Sequence, residues 1–100
     1  MVAHIVMWRF KETAEGATKE QNIARVKGML EALPAIISEI RRLEVRRDEG
    51  GGGKNYDAVL LTEFENFDDL ERYQNHPEHK KVSAFVALVR DGRAAVDYSL

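Results

Sequence analysis

Two segments of this chain are apolar on both faces, and a chain of 100 residues has few ways to cover them. "VAHIVMWRF", residues 2–10, is rich in β-branched and aromatic side chains, with only His4 polar before Arg9. "NYDAVLLTEFE" repeats the pattern, apolar throughout from Ala58 to Leu61. Short continuous runs of this composition read as strands buried on both sides. Side chains alternate along a strand, so His4, Val6, Trp8 and Phe10 share one face while Ala3, Ile5 and Met7 share the other. In the second segment Ala58, Leu60, Thr62 and Phe64 oppose Val59 and Leu61. Whichever set lies under helices, the other leaves an apolar patch in mid-sheet. Ile5, Met7, Val59 and Leu61 are the expected interface. At roughly 25 cal/mol per Å² of apolar surface, burying them twice in a symmetric dimer is a strong drive. The alternative is a monomer with an unusually apolar sheet.

The intervening residues supply helices and two more strands. After a loop, "KETAEGA", Thr18 opens a helix and Gln21 completes a capping box. Ile23, Val26, Leu30 and Leu33 follow at helical spacing, and Pro34 closes the helix. "EIRRLEVRRD" alternates as a half-exposed strand. Gly50, Gly51, Gly52 and Gly53 form a run that is expected to be a mobile loop. Asn66 caps a short helix, "FDDLERY", with Asp69 at the reciprocal position, and Pro77 starts another. "DG" at 91–92 reads as a turn before a last strand, "RAAVDYSL". The order βαββαβ, with its last helix broken, predicts one α+β domain over 1–100. The expected fold is ferredoxin-like, with a four-stranded antiparallel sheet.

Composition removes several functions. Formal net charge is −2 with both signs spread along the chain, so no basic face invites nucleic acid. The absence of cysteine excludes disulfides and thiolate chemistry. The apolar N-terminal run lacks a signal peptide's basic start and is too short to span a bilayer, so a cytoplasmic protein without membrane contact is expected.

"YQNHPEHKKV", residues 73–82, holds two of the three histidines. As metal ligands they are poorly placed. Pro77 pushes His76 out of helical geometry, so the two rings need not converge, and no cysteine assists. As punctuation the segment reads well: Asn75 or His76 caps, Pro77 takes the first helical position, and Glu78 favours the dipole. That leaves His79 and Tyr73. In the first turn of the new helix, unpaired N–H groups disfavour an imidazolium, so a neutral His79 is a candidate general base. Tyr73 can offer its phenol to a substrate oxygen, and His4 lies on the Trp8 face of the first strand. A histidine among apolar residues can equally be a satisfied core group.

"HIVMWRFK", "NYDAVLLTEFENFDDLERYQNHPEHKKV" and "VDYS" together resemble the stress-responsive dimeric α/β-barrel (Dabb) family over almost the whole chain. The Y-x-x-H-P-x-H run is the most specific element. The resemblance implies a homodimer whose two sheets pack face to face into a barrel. It also implies a small-molecule pocket between sheet and helices, here lined by Val6, Trp8, Ala58, Leu60, Val82 and Leu88. Plant relatives include a polyketide cyclase working by aldol condensation without a cofactor. By that resemblance His79 is the base, Tyr73 holds the reacting carbonyl, and His4 lines the pocket. This chain departs from the cyclase where Ala58 stands near a further pocket histidine, where Trp8 is larger than an aliphatic residue, and at Asn22 and Val26, which replace aromatics. Two readings follow: a small dimeric binding or stress-protection protein in which these residues simply hold the helix junction together, or a cofactor-free lyase or cyclase. A metal- or haem-dependent oxygenase is the least supported.

Overall fold

The computed structural model describes all residues from 1 to 100. The chain opens with β1 (Val2–Phe10), a short hairpin of β2 (Thr13–Ala14) and β3 (Ala17–Thr18), and α1 (Lys19–Glu31). It continues through β4 (Arg42–Arg47), β5 (Ala58–Phe64), α2 (Phe67–Asn75), α3 (Pro77–Val89) and β6 (Arg90–Ser99). The main sheet is antiparallel in the order β4-β5-β1-β6, which places the two-faced apolar strands at its centre. This is the ferredoxin-like α+β arrangement expected from the element order.

Local chemistry sets the helix ends. Thr18 Oγ1 accepts from the Gln21 N–H while the Gln21 amide oxygen accepts from the Thr18 N–H. Asn66 Oδ1 accepts from the Asp69 N–H, but the Asp69 carboxylate turns to Arg72 rather than back to the cap. α1 ends at Glu31, and Leu33–Ala35 form a 3-10 turn around Pro34. Beyond it Ile37 plugs the core at 1% exposure.

One loop expectation is corrected, and another gains detail. In the glycine run Gly51, Gly52 and Gly53 have φ of 66°, 81° and 72°, which only glycine adopts readily. Asp48 accepts from the Gly51 N–H and from Asn55 Nδ2 across it. "DG" at 91–92 is no turn. β6 runs through it, and the register slips by one residue opposite Arg9 and Phe10, bulging Asp91 out. Gly92 is small there because an added Cβ would stand 3.3 Å from Arg9 Cβ.

The helices cover the face carrying Val2, His4, Val6, Trp8 and Phe10 with Ala58, Leu60, Thr62 and Phe64, all buried. The opposite face is apolar across three strands. Register aligns Leu61, Ile5 and Val96 in one row and Val59, Met7 and Ala94 in the next. Met7 is 39% exposed and Val96 55%. At the β4 edge the same face turns ionic, with Arg42 bonded to Glu63 and Glu44, and Arg46 to Glu44. The expected patch of Ile5, Met7, Val59 and Leu61 is therefore present, widened by β6 residues that the sequence reading did not include.

Candidate functional site

α2 and α3 meet at the "NHPEH" junction, where the two histidines take opposite roles. His76 caps α3: its Nδ1 accepts from the Glu78 N–H at 3.1 Å. His79, one turn later, uses the same atom the other way. Its Nδ1 lies 3.1 Å from the Gln74 carbonyl, which can only accept, so Nδ1 carries the proton and Nε2 is left with a free lone pair. Burial of the ring holds its pKa below that of an ordinary histidine. The Gln74 carbonyl opposes that shift, and His4, Arg93 and His76 add to it. The expected neutrality thus has burial, not the helix terminus, as its leading cause.

Tyr73 sits 4.4 Å from His79 and 5.0 Å from Phe64 between ring centroids. It is fully buried, and its hydroxyl has no hydrogen-bond partner. Burial raises its pKa far above the ordinary phenol value, so the group is a protonated donor without an acceptor. His4, 6.4 Å from Tyr73, faces across the β1–β6 ladder to Asp97. Its Nδ1 stands 2.5 Å from Asp97 Oδ1. The carboxylate, 41% exposed, orients the buried imidazole.

His4 and His79 border a cleft of about 100 Å³ between β1, β6 and α3. Of the predicted residues, His4, Val6, Trp8, Leu60, His79 and Val82 line it. Three do not. Tyr73 packs against His79 without reaching the cleft wall. Ala58 is buried and borders instead a shallow depression with Met7 and Tyr56 by the glycine turn. Leu88 is 51% exposed, because it falls on the α3 side away from the inward-facing Val82, Val86 and Val89. The cleft's polar residues Gln74, Ser83, Arg90 and Arg93 escaped the sequence reading, as did Asp97 beside His4. The one available signal was the pairing of "RAAVDYS" with β1, which sets Arg93 opposite Trp8 and Asp97 opposite His4. Asn22 is buried and donates to the Ala14 carbonyl of the β2–β3 hairpin. Val26 is part of the core. Nowhere do three histidine, aspartate or glutamate side chains converge as metal ligands would. No helix is long and apolar enough to cross a membrane.

The model of the Dabb family, the stress responsive A/B barrel domain, matches residues 2–100. The chain belongs to the Dabb family. Among solved structures it is similar to a dimeric protein of unknown function with a ferredoxin-like fold from Bacteroides fragilis. That match has 34% identity, a TM-score of 0.84, and covers 99% of this chain and 95% of that one. A dimeric ferredoxin-like protein of unknown function from Thermobifida fusca is 29% identical, with a TM-score of 0.84 and 99% and 90% covered. A hydroxynitrile lyase from Passiflora edulis shares the fold at 16% identity, with a TM-score of 0.83 over 99% and 92% of the two chains. No curated protein matches this Dabb chain.

Proposed function

We propose that this Dabb domain is a homodimer, joined through the outer faces of its two sheets, that binds a small organic molecule in the His4–His79 cleft. One observation carries the binding reading. A neutral imidazole, its tautomer fixed by Gln74, offers an unused Nε2 lone pair in a half-enclosed cleft. Support for the dimer comes from the apolar rows on the outer face and from neighbours that are themselves described as dimeric. The ligand is small. Drug-sized molecules occupy roughly 300–1,000 Å³, and this cleft offers about 100 Å³ with Trp8 as one wall. A folded polyketide does not fit that space.

The orphaned Tyr73 hydroxyl favours a second reading, a cofactor-free lyase acting next to a carbonyl. In it His79 Nε2 removes a proton α to the carbonyl, and the enolate oxygen accepts from the phenol once the side chain shifts towards the cleft. Both readings are tested with a panel of small ketones. Binding is followed through the His79 ring resonances, and turnover through deuterium uptake at the α carbon in heavy water. Binding without exchange supports the first reading; exchange that disappears in His79→Gln supports the second. Ring resonances unmoved by the whole panel would sink both.

A further inference from the structure

The cleft holds the two arginines of this protein that have no partner. The chain has nine arginines, and seven are engaged. Arg9 lies over Tyr56 and donates to the Lys54 carbonyl, Arg25 lies over Phe85, and the other five bond to carboxylates. The side chains of Arg90 and Arg93 make no ion pair, hydrogen bond or aromatic contact, and both residues line the His79 cleft. Arg90 follows the last turn of α3, where a cation also suits the helix dipole. No such reason applies to Arg93, which stands on β6 opposite Trp8.

The cleft is thus electrically graded. Asp97, on the same face of β6, lies four residues from Arg93, or about 13 Å along an extended strand, and is already committed to His4. One end of the cleft therefore carries free guanidinium groups. The other is a satisfied carboxylate–imidazole pair. His79 and the unpartnered Tyr73 hydroxyl lie on the α2–α3 side. A guanidinium presents paired N–H donors that match the two oxygens of a carboxylate.

Building on the binding reading above, we propose that the ligand is a small carboxylic acid carrying a carbonyl, a short 2-oxo acid being the simplest form. Its carboxylate pairs with Arg93 and Arg90, and its carbonyl end lies against His79. The cleft volume of about 100 Å³ suits an acid of a few carbons. Arg93 and Arg90 are positioning residues here and take no part in proton transfer.

The test uses pyruvate, its neutral methyl ester and inorganic phosphate on the intact protein, read by calorimetry and by the His79 ring resonances. Pyruvate should bind and shift those resonances. Arg93→Gln should weaken it by about ten- to a hundredfold, while Arg93→Lys recovers part of the loss. Both substitutions fall on an exposed position of an edge strand, and an unchanged circular dichroism spectrum checks the fold. Equal binding of pyruvate and its methyl ester, or indifference to Arg93→Gln, overturns the acid assignment. The binding reading survives that result, since a neutral ligand would still move His79. Phosphate binding as tightly as pyruvate overturns the carboxylate class in favour of a general anion site. Silence from all three probes overturns the inference outright.

Discussion

The helix-facing side of the sheet has two halves that differ in cover. Over β5 and β1 it is closed: Phe64, Thr62 and Leu60 are 0–2% exposed under the helices. Over β6 the same side is open, and Arg93, Ala95 and Asp97 remain exposed on a strand paired with β1. The candidate site lies at the seam, where Trp8 and His4 of the closed half meet Arg93 and Asp97 of the open one. Stability and chemistry are thus divided across one ladder. Close packing leaves no room for a ligand, and an open strand face can carry charge without a desolvation penalty.

The sharpest way to break that contrast is to change one side chain in each half. Phe64→Ala removes a fully buried ring in contact with Tyr73 and should cost about 3–5 kcal/mol of unfolding free energy. Ala95→Ser on β6 should stay within about 0.5 kcal/mol. Urea titrations of both variants decide it. Comparable losses would mean that β6 is covered after all.

The outer face offers the next test, because there β6 behaves like the closed half. Val96→Lys, or Met7→Lys, puts an ammonium into the apolar rows, twice in a symmetric pair. The proposed dimer should weaken by about 3 kcal/mol or more, roughly a hundredfold, and sedimentation velocity should show monomer at micromolar concentration. A wild-type chain that is already monomeric would remove the homodimer, leaving the cleft untouched.

How much of this division was legible in the sequence depends on the range of the interaction. Capping is local: Thr18 with Gln21, and Asn66 with Asp69, are three residues apart, so the helix starts could be read directly. Strand faces follow from alternation, so the closed half and the outer patch were also legible in β1 and β5. β6 was not. "RAAVDYS" lacks a strong apolar period, and its cleft-side residues acquire their neighbours only through a register set more than eighty residues away. Asp97 reaches His4 across a sequence separation of 93. His79 was singled out because it falls in the first turn of the helix that Pro77 opens. The cause of its neutrality was misassigned, since burial depends on the whole fold.

A smaller effect sharpens the seam itself. Tyr73→Phe deletes a buried hydroxyl that donates to nothing, so stability should be unchanged or rise by up to about 1 kcal/mol. If the hydroxyl serves the ligand, the same variant should lose binding or exchange while keeping its fold. A clear loss of stability would show that the phenol has a structural partner.

The smallest effect separates the two histidines of the junction by pH. An unfolded chain takes up a proton at each histidine near pH 6.5, whereas buried His79 resists protonation until a lower pH. Below about pH 6.5 the unfolded state therefore binds more protons, and acidification draws the equilibrium towards it. The contribution of His79 is fully present above that pH, declines as pH falls, and levels off below the folded value. His79→Gln should flatten this part of the stability curve. His76→Asn keeps a cap acceptor at the start of α3 and should leave the His79 slope standing, slightly altered by removal of one neighbouring ring. Urea midpoints measured above and below the unfolded pKa for the three proteins check it. If His76→Asn, not His79→Gln, abolishes the slope, then the ring that caps the helix is the one whose proton the fold excludes, and the base assigned to the cleft is the wrong one.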